Sequence, residues 1–132
     1  MSKKRRIEGD RWDGLSLNEW MIDDASVSDF DAALDRLDAS TFTNVMIAGD
    51  GEEHMGIGGG AGRYIVYATF DNEDFWNLMR NEPATGTVLL NTGGQVGDYP
   101  ASQVVTVEQA RTAGRTFLLS GKLDPGLRWE KQ

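Results

Sequence analysis

The chain has 132 residues, enough for one compact domain with its own core, and its 39% hydrophobic and 26% charged content suits a folded body rather than a disordered one. It has no cysteine and a single histidine, which removes disulfides, thiolate nucleophiles and cysteine-based zinc sites and starves a transition-metal site of ligands. A net charge of −8 repels nucleic acid and anionic membrane and attracts a basic partner.

Residues 1–14 are polar and are expected to be a loose tail. Their basic start, Lys3-Lys4-Arg5-Arg6, has no apolar stretch behind it, so it is not a secretory signal. No apolar run is long enough to cross a bilayer, and a cysteine-free chain fits a reducing cytoplasm. The segment from Glu8 to Glu53 carries 13 acidic residues against two basic ones, Arg11 and Arg36, so most of the net charge sits in one part of the chain. Leu15, Leu17 and Trp20 to Ile22 suggest a first strand. A helix follows, with Ser28 as N-cap and Asp31 completing a capping box. Phe30, Ala33, Leu34 and Leu37 form its apolar face, while Asp29, Asp31, Asp35 and Asp38 take the rest of its surface.

Val45 to Ala48 reads as a strand, Asp50-Gly51 as a turn, and His54 to Ile57 as the returning strand. Gly58 to Gly62 is then expected to be a second turn. Arg63 to Phe70, rich in β-branched and aromatic residues, should be a central strand. Asn72 is placed as the cap of a short helical turn bearing Phe75, Trp76 and Met79. Thr87 to Leu90 is a further strand, ended by Gly93-Gly94. The last helix starts at a Thr106–Gln109 capping box and stops at Gly121. Its stripe is Val107, Ala110, Ala113, Gly114, Phe117 and Leu118, and Gly114 is expected to allow close approach to the sheet. The tail Leu127-Arg128-Trp129 should dock its indole on the body. The sum is an α+β fold, a small antiparallel sheet of about four strands with an N-terminal and a C-terminal helix packed on it.

The chemistry-bearing patterns are few. A histidine-dependent triad would need His54, which has no serine near it in sequence and reads as structural. Asp50-Gly51-Glu52-Glu53 resembles a calcium loop in composition only. The glycine run Gly56 to Gly62 is followed by a strand, not by the helix that a phosphate turn requires. The expectation is a non-enzyme without cofactor, metal, membrane or nucleic-acid ligand. Its candidate contact residues are the hairpin acids Asp50, Glu52 and Glu53, then Asp71, Glu73, Asp74 and Asp98, with Trp76 as an aromatic anchor.

In order, several pieces resemble the first-numbered immunity family of bacterial polymorphic toxin systems. They are the helix Asp31-Ala32-Ala33-Leu34-Asp35-Arg36-Leu37, the segment Ile57-Gly58-Gly59-Gly60 and the aromatic strand Tyr64-Ile65-Val66-Tyr67. Gly93-Gly94 then leads to Tyr99-Pro100. A closing helix runs from Val107-Glu108-Gln109-Ala110-Arg111 to Phe117, followed by Ser120-Gly121, Pro125 and Leu127-Arg128-Trp129. The resemblance spans roughly residues 15–130 and makes 15–132 a single immunity-type domain behind the 1–14 tail. It implies an antitoxin that binds and neutralises a cognate toxin, often a nucleic-acid deaminase and sometimes a nuclease. It transfers no catalytic residue and no contact residue. An acidic adaptor domain without a toxin partner, or a small-ligand-binding domain, would fit the charge and the aromatic residues as well.

Overall fold

The computed structural model describes residues 4–132. The fold is α+β, as expected, but with nine strands instead of about four. In chain order these are β1 (Arg6–Asp13), β2 (Ser16–Ile22), helix α1 (Val27–Arg36), β3 (Asn44–Ala48), β4 (His54–Gly60), β5 (Arg63–Thr69), β6 (Phe75–Met79), β7 (Thr87–Thr92), β8 (Gln95–Pro100), helix α2 (Val107–Ser120) and β9 (Arg128–Lys131). Seven strands make one antiparallel sheet in the order β2-β1-β3-β4-β5-β6-β9, and β7 and β8 form a separate hairpin.

Both helices pack on one face of the sheet. Phe30 and Leu34 of the first helix, Leu37 just beyond its end, and Ala110, Ala113, Phe117 and Leu118 of the second meet Ile7, Val45, Ile47, Met55, Ile57, Val66, Ala68 and Leu78. Alternation along each strand puts these residues on one side, and burying them supplies the main folding force. The hairpin lies on the other face, where Thr92 stands over Gly58. No helix of the described residues is long and apolar enough to cross a membrane.

Four local expectations are corrected. Residues 6–13, expected within a loose tail, form a strand paired on both sides, with β2 and with β3. Arg5 is buried and donates from Nη1 to the Leu118 carbonyl at 2.9 Å, capping the end of α2, while Arg6 donates to the Gly49 carbonyl at 3.2 Å. Lys4 is exposed and lies 3.7 Å from Asp24; Lys3, the remaining member of the basic run, lies outside the described residues.

Gly58, Gly59 and Gly60 are strand residues, and the turn is only Ala61-Gly62. They are needed for clearance: a Cβ on Gly58 would meet Thr92 at 2.7 Å, and one on Gly60 would meet the backbone of Leu37, Asp38 and Ala39 at 2.6 Å. Phe75 to Met79 is a strand rather than a helical turn, and Asn72 sits in the β5–β6 turn with φ of 61°. The N-cap of α1 is Ser26 with Asp29, two residues before the expected pair.

Candidate partner-binding surface

The strand register gathers the acidic turns. Ala48 pairs with His54, His54 with Thr69, and Thr69 with Phe75, so the β3–β4 turn and the β5–β6 turn lie at the same end of the sheet. Ile7 pairs with both Ile22 and Ile47, which brings the end of β2, and with it Asp23 and Asp24, to that end too. Six of the eight candidate residues are therefore carried to one rim: Asp50, Glu52, Glu53, Asp71, Glu73 and Asp74. Asp23 and Asp24 join them. Composition does not single these two out, because only the register places them beside the turns.

The rim acids differ in what holds them. Asp50 and Glu52 are exposed and have no ion-pair partner among the described residues. Glu53 is half-buried, its carboxylate folded against Gly49 and Gly51, where an added Cβ would meet its oxygens at 2.7 and 2.4 Å. Asp71 accepts from the backbone N–H groups of Asp74 (2.8 Å) and Glu73 (2.9 Å), and these bonds hold its carboxyl below the ordinary carboxylate value. Asp71 thus shapes its own turn. Asp74 is paired with Lys131 at 3.2 Å, and Glu73 is exposed.

The other two candidates stand apart. Trp76 is half-buried on the helix-facing side of β6, opposite Ala68 and Lys131. Asp98 is exposed on β8, opposite Leu89 in the separate hairpin, and is not part of the rim. His54 has Nδ1 3.0 Å from the Glu52 carbonyl and meets the Tyr67 ring edge-on at 5.8 Å, which fits a turn-stabilising role.

Much of the acidic segment is consumed internally. Buried Asp10 accepts from the backbone of Thr43 (2.7 Å) and Asn44 (3.0 Å), from the Thr43 hydroxyl and from the Trp12 indole (2.7 Å). Asp29 caps α1. Asp31 and Asp35 pair with Arg111, and Asp31 also pairs with Arg115, which clamps the two helices together. Asp38 accepts from the N–H groups of Ser40, Thr41 and Phe42. Arginines neutralise Asp31 and Asp35, whereas Asp29 and Asp38 keep their charge away from the rim, so the acidic segment does not form one continuous negative face.

A cleft of about 390 Å³ opens between the sheet and the β7–β8 hairpin, lined by Ile65, Tyr67, Phe75, Asn77, Thr92 and Tyr99 among others. Four of its polar groups bond in pairs, Thr92 with Tyr99 at 2.7 Å and Gln132 donating to Asn77 at 3.0 Å, and Tyr67 and Gln103 also line it. Among the described residues no group of three or more His, Asp or Glu side chains is placed to hold a metal ion.

A family model described as Immunity protein Imm1 matches residues 22–131, most of the chain. The chain belongs to the Imm1 immunity protein family. No curated protein matches it.

Proposed function

We propose that this chain is an antitoxin that binds and neutralises a cognate bacterial toxin, and that the toxin acts on nucleic acid as a deaminase or nuclease. The observation that carries the reading, beside membership of the family, is the gathering of acidic turns at one end of the sheet. An enzyme acting on nucleic acid needs a basic channel. An acidic rim competes for that channel and steers the encounter, raising association rates about 10- to 1000-fold. The role needs no catalytic group and no cofactor on this chain; occlusion is enough.

Co-expression with a toxin domain found in a gene neighbouring this chain's tests the reading. Rescue of growth and a complex on sizing are expected. Loss of both would overturn the antitoxin role and return the chain to the adaptor reading, in which the same rim meets another basic partner. Within a complex, charge reversal at Asp50 and Glu52 should slow association about tenfold at low salt, with a smaller effect at high salt. An unchanged rate and salt dependence would remove the rim from the encounter.

A further inference from the structure

The two edges of the seven-stranded sheet are unlike. At one, β9 has four residues and carries Arg128, Glu130 and Lys131, a short and charged strand of the kind that discourages pairing. At the other, β2 has seven residues with no proline, no lysine and no bulge. Its register with β1 runs one-to-one from Ile7↔Ile22 to Asp13↔Ser16, and among the described residues nothing pairs with its outer side.

The direction of its backbone groups follows from β1. The Trp12 N–H donates to the Thr41 carbonyl, away from β2, whereas the Arg5 carbonyl accepts from Ala25 on the β2 side. Even-numbered residues of β1 therefore turn their backbone groups away from β2, and their opposite numbers Leu17, Glu19 and Met21 form the non-hydrogen-bonded pairs. In such pairs the N–H and C=O of the edge residue point outward. The same three side chains lie on the sheet face away from the helices, with Leu17 45% and Met21 57% exposed and Glu19 exposed between them. Trp20 and Ile22 alternate to the other side and pack on the core.

We propose that the outer edge of β2 is a docking strand, and that its occupant is an extended segment of the toxin which adds an antiparallel strand with a lysine or arginine opposite Glu19 and apolar residues opposite Leu17 and Met21. This rests on the antitoxin reading. Charge selects the occupant. A second copy of this chain, paired antiparallel over the whole of β2, would set Glu19 directly against Glu19 between two chains of net charge −8. A basic strand meets Glu19 with the opposite sign, and β2 runs into Asp23 and Asp24 of the acidic rim, so encounter surface and docking edge are continuous.

The test is amide hydrogen exchange on the full chain, free and bound to a catalytically inactive form of a toxin domain found in a gene neighbouring its own. The amides of Leu17, Glu19 and Met21 should gain at least about tenfold protection on binding. Met21→Pro removes an outward donor and leaves the bonds to β1 in place; it should weaken binding about tenfold with an unchanged circular dichroism spectrum. Should that variant not fold, exchange in the wild-type complex decides alone. A neutralising complex in which these amides exchange as in the free chain overturns the docking edge and leaves the antitoxin reading standing. No complex at all overturns both. A free chain that is already a dimer with these amides protected assigns the edge to a second copy instead.

Discussion

Single residues show how closely the helices are fitted. The helical stripe points Gly114 at the sheet, but its neighbour is the other helix: an added Cβ would fall 2.0 Å from Phe30 Cζ. Gly114→Ala should therefore destabilise by about 1–3 kcal/mol in a denaturant titration, although alanine is the better helix former. The cap of α1 is read from sequence two residues late because Ser26-Val27-Ser28-Asp29 and Ser28-Asp29-Phe30-Asp31 have the same spacing. The choice is made by long-range partners: Arg115 and Arg111 claim Asp31, leaving Asp29 to the cap. Hydrogen bonding to Arg115, then to Arg111, holds the Asp31 carboxyl below its ordinary 3.8 despite the opposing effect of burial. A carboxylate with a lowered folded-state pKa gives stability that is complete above its unfolded value and is lost as pH falls through the folded one. Wild-type stability should decline from about pH 4 downward, and Asp31→Asn should make that decline shallower in acid titrations followed by circular dichroism.

At the scale of elements, the two helices were the most legible parts. Their apolar stripes recur at helical spacing, and the Thr106–Gln109 cap is unambiguous. Strands were read where β-branched residues cluster, as in β3 and β5, and missed where their residues are polar. β1 hides behind charges whose partners are distant: Arg5 needs the end of α2, and Asp10 needs Thr43 and Asn44. β8 buries almost nothing and is a strand because β7 pairs with it. The glycines of β4 look like a turn in sequence because their reason, Thr92 above and the chain after α1 beside, is tertiary. The β7–β8 hairpin is fastened at its tip: the Gly94 N–H donates to the Thr43 hydroxyl at 2.9 Å, and a Cβ there would fall 2.0 Å from the Trp12 indole. Gly94→Ala, at φ of +82°, should cost about 1–3 kcal/mol and red-shift tryptophan emission as the tip lifts from Trp12; an unshifted spectrum would contradict that fastening.

For the whole molecule, the sequence locates the charge but not its use. An excess of acid in one segment looks like a single negative face, yet Asp10, Asp29, Asp31, Asp35 and Asp38 are spent on holding the fold. What faces outward at the rim is assembled from three separate chain segments by strand register, a property no local pattern carries. Six of the eight candidate acids and aromatics reach this rim; Asp98 does not because it belongs to the second sheet, and Trp76 is turned to the helix side. Trp129 docks its indole as the sequence predicts: its Nε1 donates to the Asp124 carbonyl at 3.1 Å, and it packs on the core through the edge strand β9.

The Arg5 cap joins residues 113 positions apart, because its guanidinium closes on the Leu118 carbonyl. A chain leaving the ribosome can pair β1 with β2 early, yet it cannot bury Arg5 until α2 has been synthesised. Completion of the fold therefore waits on nearly the entire translation, and refolding should carry the slowness of distant contacts, in the range of about milliseconds to seconds. A fragment cut at residue 22, where the family match begins, would lack β1 and β2 and bare the edge of β3, so it should aggregate rather than fold.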